Sequence, residues 1–306
     1  MNDLKLFRVV GGVATEIPRA AVTLERHLQT LIETNMETLL GIRFLASEYR
    51  TGPRHRGRID SLGMDENGNP VIVEYKRSTG KAVIIQALSY LNWLRDHRHE
   101  FENLVKDRLG AEEADKVDWS DPRVVCVAAD FTKHDVFAME EIGRRVDLVS
   151  YRHFGADLLA LQLVASMAGS TASTRSSAPG AESGRAAVKS VRQLYDESPQ
   201  SLKDLYADLD ALLTSSAEVR TEFQQHYIAY RRIRNVATVR FQPASHTLVA
   251  RLAVDPDGVD LVEGFTRDLR GIGALGTGPL EVKIRSRTDL ARARDLVLRS
   301  VEGASG

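Results

Sequence analysis

The sequence predicts an α/β protein with a second, small α+β domain behind it, and three observations carry that prediction. Through the first half of the chain, strand-like apolar runs alternate with amphipathic helical stretches, the pattern of a mixed sheet flanked by helices. The Asn67-Gly68 pair joins two of those strands as a hairpin. The run AGSTASTRSSAPGAESGRAA at 168–187 has no large apolar side chain and cannot bury enough surface to offset its ordering entropy. It reads as a flexible linker. The domain boundaries are then 1–165, 166–187 for the linker, and 188–306, in keeping with a 306-residue chain.

In order, LFRVV and VATEI form an opening hairpin around Gly11-Gly12. TLERHLQTLIETNMETLL follows, with Leu24, Leu28, Leu31, Ile32, Met36 and Leu39 at helical spacing. Thr23 stands at its N-cap and Gly41 closes it. Three strands come next: IRFLASEYRT, GRIDSLGMD and PVIVEYK. From Ser78 to about Arg98 the pattern is helical, with Val83, Ile84, Ala87, Leu88, Leu91 and Leu94 on one face. RVVCVAAD is a continuous apolar run bounded by charges and reads as a buried strand. A short helix around 134–143 and the strand VDLVSYRHF complete an order of α-β-β-β-α-β-α-β after the hairpin.

The second domain opens with helical residues 191–216, interrupted at Pro199. YIAYRRIRNVATVRF and TLVARLAV read as strands joined near Pro243, LEVKI as another, and a last helix begins at Asp289. The run GIGALGTG from Gly271 lacks the Gly-Lys-Ser/Thr ending of a phosphate loop, so it reads as a turn. Arg231, Arg232, Arg234 and Arg240 lie near Tyr227, Tyr230 and Phe241. Two readings stand side by side there, a nucleic-acid or protein docking face and a strand with a charged outer side.

Composition excludes several classes. With 43% hydrophobic and 27% charged residues, wholesale disorder is out. No apolar run approaches the length of a membrane span, and the first residues carry no secretory signal. Cys126 alone makes no intramolecular disulfide, and a cytoplasmic protein is expected. The formal charge of −1 argues against a polycation that coats nucleic acid, but leaves local patches open.

The chemistry concentrates in Gly57-Arg58-Ile59-Asp60 and, 14 residues beyond the aspartate, Glu74-Tyr75-Lys76. Side chains alternate along a strand, so Glu74 and Lys76 share a face about 7 Å apart and Tyr75 faces the other way. Folding back at the Asn-Gly turn brings Asp60 alongside Glu74. Two adjacent carboxylates repel and are costly to desolvate, which calls for a cation between them. Oxygen-only ligands suit Mg²⁺ or Mn²⁺. Taken alone, Glu-x-Lys on an amphipathic strand is commonplace. The preceding Gly-x-x-Asp, the apolar entry and the helix directly behind it are what make this a phosphodiester-hydrolysing candidate.

GRIDSLGMDENGNPVIVEYK resembles the PD-(D/E)XK nuclease motif, particularly the catalytic domain of the NucS/EndoMS mismatch endonucleases. Ahead of it, Glu48-Tyr49 followed by Gly57 is similar to the E-Y…G-x-x-D run of that group, and Glu25 sits where such folds often carry an acid. Behind it, Gln86-Ala87-Leu88-Ser89-Tyr90-Leu91 is similar to the helix bordering their active site. The resemblance covers about residues 20–130 and implies a restriction-endonuclease-like mixed sheet and a metal-dependent endonuclease acting on DNA, double-stranded DNA foremost. It implies that Asp60, Glu74 and the Tyr75 carbonyl hold Mg²⁺ or Mn²⁺ and that Lys76 positions the attacking water. Gln86 and Tyr90, at i and i+4 of one helix, would frame the site; Tyr90 reads equally as a core aromatic. Glu25 and Glu48 are either additional acids or solvated surface residues. A homodimer is expected by analogy. In NucS the nuclease domain follows a DNA-binding domain, whereas here it comes first, so mismatch specificity does not carry over. The segment from residue 227 through the glycine run resembles an uncharacterised C-terminal family sometimes labelled a predicted transport protein, a label without support in a chain lacking an apolar span.

Arg54, Arg56 and Arg58, with Arg77 and Lys81, make a basic stretch around Asp60 that would contact phosphates without reading bases. The alternative function is a non-catalytic nucleic-acid-binding or adaptor protein that keeps the nuclease-like fold. His97, Trp93, Trp119 and Cys126 read as structural.

Overall fold

The computed structural model describes residues 4–20, 25–52, 56–76, 81–167, 189–216, 218–270 and 278–303. The chain divides into two compact units, Met1–Ser177 and Ala178–Gly306. Beyond Met167, the expected linker lies outside the described residues, as do Thr23, Arg54, Arg77 and the run 271–277.

The first unit is α/β, a large mixed sheet flanked by helices, as expected. Strands β1 (Leu6–Val10) and β2 (Val13–Ile17) form the opening hairpin, and β3 (Arg19–Ala20) follows. The helical run expected to be continuous breaks into α1 (Glu25–Thr34) and α2 (Met36–Leu40). Asn35 causes the break. Its side chain donates to the Leu31 carbonyl at 2.9 Å, an alternative to the main-chain bond of a continuing helix. Gly41, at φ 66°, ends α2 in the left-handed region.

Strands β4 (Ile42–Arg50), β5 (Arg58–Asp65) and β6 (Pro70–Lys76) form an antiparallel meander, in which the Asn-Gly hairpin between β5 and β6 is as expected. Helices α3 (Lys81–Asp96), α4 (Arg98–Leu109) and α5 (Ala111–Ala114) carry the chain over to β7 (Arg123–Ala128). Then come α6 (Lys133–Glu140), β8 (Arg145–Phe154) and β9 (Leu158–Met167). β7 lies parallel to both β6 and β8. All six of its residues are buried, which is why Val124–Ala128 reads as an unbroken apolar run behind Arg123.

In this unit β3, β9, α4 and α5 went unread; β3 is only two residues long, and the others each have a physical reason. β9 pairs with β8, but its Leu, Ala and Gln favour helices, and it runs two residues into the expected linker. α4 buries only Phe101 and Val105, too few for a clear periodicity. α5 is a single turn.

The turn end of the β5–β6 hairpin is pinned by charge. Asp65 accepts from the Asn67 and Asn69 amides at 2.9 Å each. Gly68 is required there: its φ is +84°, and a Cβ would lie 2.5 Å from the Lys116 carbonyl oxygen. Arg145 reaches Asp65 at 3.7 Å and Asp121 at 3.4 Å. Beside them, the fully buried Arg123 pairs with Asp147 at 2.6 Å.

The second unit begins with α7 (Val191–Asp196) and α8 (Gln200–Leu213), separated at Pro199 as the sequence predicts. Strands β10 (Arg220–Phe223), β11 (Ile228–Arg231), β12 (Asn235–Gln242), β13 (Thr247–Leu252), β14 (Thr266–Asp268) and β15 (Leu280–Ile284) form one antiparallel sheet. Its order is β10-β11-β12-β13-β15-β14. The final helix is α9 (Arg287–Glu302). It begins two residues before Asp289, because Ser286 is the N-cap and accepts the Asp289 amide at 3.1 Å.

The stretch read as a single strand over 227–241 is instead the β11–β12 hairpin, turned without glycine or proline through the Arg232 amide to Arg234 carbonyl bond. Its aromatics do not form a docking face. Tyr230 and Phe241 belong to the core, with the Tyr230 hydroxyl donating to Asp210 at 2.6 Å, and Arg231 is buried.

Asp147→Ala removes the carboxylate opposite a buried guanidinium and should cost about 3–5 kcal/mol. The thermal midpoint should fall by roughly 6–20 °C in calorimetry. An unchanged midpoint would show that this pair does not hold the sheet.

Candidate active site

The site forms at the open end of the β5–β6 hairpin. The ladder between these strands runs from Met64–Pro70 to Ser61–Val73. Beyond that pair, side chains replace main-chain partners. The Asp60 amide donates to Glu74 Oε1 at 3.1 Å, and the Tyr75 amide donates to Asp60 Oδ2 at 3.0 Å. Each carboxylate thus caps the opposite strand, and the two acids are brought side by side.

Glu74 is 0% exposed. Burial, and then the neighbouring Asp60, push its pKa up to about 9. Burial also raises Asp60, against the pull of the Tyr75 amide and Lys76. Both shifts run in the direction expected of two adjacent, desolvated acids, whose repulsion a cation would relieve.

Helix α3 supplies the next wall. Gln86 Nε2 donates to Glu74 Oε2 at 3.0 Å and to the Tyr90 hydroxyl at 3.3 Å. That hydroxyl also accepts the Arg58 amide at 3.1 Å. Tyr90 is both things its sequence position allowed, a buried core aromatic and a neighbour of the site. Gly57 makes room for it: a Cβ there would lie 2.4 Å from Tyr90 Cε1 and 3.1 Å from Thr51 Oγ1. The glycine of Gly-x-x-Asp is a close-approach residue.

Helix α1 closes the other side. Glu25 pairs with Lys76 Nζ at 3.7 Å. Glu48 holds Arg58 at 2.6 Å and accepts from Gln29 at 3.3 Å. Neither acid is merely solvated. Glu48 sits at φ 52° within β4, an unusual conformation for a residue with a side chain.

Arg56 and Arg58 are exposed beside the site, and Arg50 faces Arg58 across the β4–β5 pair. Arg54 and Arg77 lie outside the described residues; Lys81 opens α3, but its side chain is likewise outside them.

Sequence reasoning missed Gln29 and Glu33. Gln29 Nε2 lies 3.0 Å from the Asp60 carbonyl oxygen, 3.2 Å from Ser47 Oγ and 3.0 Å from Glu33. Glu33 accepts from Ser61 Oγ at 2.6 Å, and Ser61 Oγ lies 3.2 Å from the Tyr75 hydroxyl. The available signal was Glu25, Gln29 and Glu33 at i, i+4 and i+8, a polar row beside the apolar stripe of one helix. His97 and Trp93 are structural, stacked with ring centroids 4.4 Å apart. Cys126 is buried, and burial pushes its thiol pKa up.

Among the described residues no group of three or more His, Cys, Asp or Glu gathers as a metal site. The donor set nonetheless suits a hard divalent cation. Two adjacent carboxylates supply only oxygen ligands.

Residues 191–301 match a family described as a domain of unknown function, DUF5655. An uncharacterized protein of Haemophilus influenzae is 25% identical over 310 residues, covering 98% of this chain and 100% of its own length. Among solved structures, the EndoMS–dsDNA2 complex aligns with 26% identity and a TM-score of 0.30. A repair endonuclease from Pyrococcus abyssi aligns with 21% identity and a TM-score of 0.29. The first covers 45% of this chain and the second 46%, so the chain spans only 49% and 50% of their lengths. At these TM-scores the superpositions carry no functional weight.

Two outcomes are expected from the packing and charge of the site. Gly57→Ala should displace Tyr90 and cost about 1–3 kcal/mol, read as a lower thermal midpoint; a neutral effect would mean that Tyr90 is not held there. In chelator, unfolded Glu74 ionises near its ordinary 4.5, whereas the folded residue keeps its proton until about 9. Wild-type stability should therefore fall as pH rises through that window, and Glu74→Gln should lack that part of the slope. Equal slopes in the two proteins would refute the raised pKa.

Proposed function

We propose that the first unit is a metal-dependent endonuclease that hydrolyses DNA phosphodiester bonds. The observation that carries this is the pairing of Asp60 with buried Glu74 on facing strands, with Lys76 two residues further along. Asp60, Glu74 and the Tyr75 carbonyl would hold Mg²⁺ or Mn²⁺. When bound, such an ion supplies Lewis acidity and neutralises charge on the phosphate.

The chain's own groups do the positioning. Gln86 fixes Glu74 Oε2, the Asp60 amide fixes Oε1, and the Tyr75 amide fixes Asp60. The carboxylates are thus set before substrate arrives, at no reorganisation cost during reaction. Lys76, on the face shared with Glu74 and restrained by Glu25, orients the attacking water by donating a hydrogen bond to its oxygen. The water oxygen bonds to phosphorus, the phosphorus–oxygen bond to the leaving nucleotide breaks, and the water's surplus proton passes to solvent. Arg56 and Arg58, with Arg54, Arg77 and Lys81, would steady the phosphate backbone. A homodimer would present one such centre to each strand.

Supercoiled and linear duplex DNA should be cut in Mg²⁺ or Mn²⁺ and remain intact in EDTA. Asp60→Ala, Glu74→Ala and Lys76→Ala should each lose at least about 100-fold in rate, as expected when charge stabilisation at the reacting phosphate is removed. Binding without cutting by wild-type protein in either metal would overturn the endonuclease and favour the adaptor.

A further inference from the structure

In the second unit, helices α7, α8 and α9 all bury their apolar side chains in one cluster, against Tyr230, Val239, Ala250 and Val282. Those residues mark one face of the sheet. The alternate residues point the other way, and their registers set out two rows across the strands. In the first, Arg240 faces Val249 and Val249 faces Lys283. In the second, Thr238 faces Arg251, Arg251 faces Glu281, and Glu281 faces Arg267.

From β12 to β14 these rows hold four cations, Arg240, Lys283, Arg251 and Arg267, against the acid Glu281. At about 4.8 Å per strand, Arg240 and Lys283 stand about 10 Å apart, as do Arg251 and Arg267. Val249 is only 4% exposed although it lies outside the core cluster, as expected when the aliphatic stems of its cross-strand partners lie over it. Glu281 lies 3.8 Å from Lys283 and is the acid that faces Arg251 and Arg267 in the ladder. Burial and the adjacent Arg240 lower the Arg251 pKa, the mark of cations crowded together. Glu222, facing Ala229 at the far end of the second row, adds one further acid. A surplus of two positive charges remains.

A sheet face exposed to water ordinarily sets opposite charges across from each other. Here the surplus is of one sign, spread on a rigid lattice whose charged heads stand on alternate strands. That arrangement complements a regularly charged polyanion, and among such polymers a nucleic-acid backbone offers phosphates at fixed intervals. We propose that this face, through Arg240, Arg251, Arg267 and Lys283, binds the phosphate backbone of duplex DNA without reading bases. The binding is independent of whether the first unit cuts.

The test is fluorescence anisotropy of a labelled duplex of ~30 base pairs, titrated with the full chain in EDTA at several salt concentrations. A combined Arg240→Gln, Arg267→Gln, Lys283→Gln variant is compared with Arg287→Gln, Arg292→Gln, Arg294→Gln, which removes equal charge from exposed positions on α9. The sheet-face variant should bind about tenfold or more weakly at ~100 mM salt, with a log–log salt slope smaller by about 2–3. The α9 variant should bind nearly as wild type. Lys283→Gln alone, the mildest change, should reduce the slope by about one, so the proposal stays testable if the triple variant misfolds. Wild-type failure to bind, equal loss in the α9 variant, or an unchanged slope in the sheet-face variants would overturn the proposal. So would competition by polyglutamate as effective as that by unlabelled duplex, which would identify an acidic protein partner. Cleavage is assayed separately in Mg²⁺, so loss of either activity is seen by itself.

Discussion

Strands β5 and β6 stop pairing through their main chains at Ser61 and Val73, and from there two carboxylates hold them together. That exchange places Asp60 and Glu74 side by side, with one of them fully buried. Neither can ionise freely while the other is charged, so the pair must share a proton or hold a cation. The surrounding residues answer this demand. Gln86 offers an amide donor, Lys76 a nearby ammonium, and Gln29 fixes the Asp60 main chain from below.

The hairpin is asymmetric along its length. Its turn end is anchored by Asp65 and its amide partners, with Arg145 and the Arg123–Asp147 pair behind. Its open end is held only by side chains. Charge thus appears twice in the same sheet, once as a network of ion pairs at the turn and once as a pair of adjacent acids at the open end. Buried ion pairs are a costly way to build a core, but a fixed turn end sets the register on which the open end depends.

The second unit separates its chemistry in another way. One face of its sheet is hydrophobic and covered by three helices, while the opposite face carries a surplus of arginine and lysine. The arginines that stood out along the sequence, Arg231 through Arg240, are divided between these environments. Arg231 is buried and Arg240 lies on the charged face. Spacing in sequence could not make that division, because the bend between β11 and β12 has no glycine or proline to announce it.

Strong local patterns were legible from the sequence alone. The Asn-Gly turn, the apolar run that enters Glu74 and the apolar run Val124–Ala128 of β7 depend on neighbours a few residues away, so Asp60, Glu74 and Lys76 could be placed together before any coordinates. Tertiary structure decided the rest, for reasons specific to each case. Asn35 split a helix by diverting one carbonyl; β9 became a strand because β8 had an edge to fill, against its own preference for helix. Glu25, Gln29 and Glu33 became part of the site only because α1 packs against β5 and β6, and Gly57 acquired its purpose from a tyrosine 33 residues away. The sequence by itself determined which residue types share a strand face. Only the packed structure decided which carboxylates lose water and which remain solvated, because burial is a property of what the rest of the chain puts in front of them.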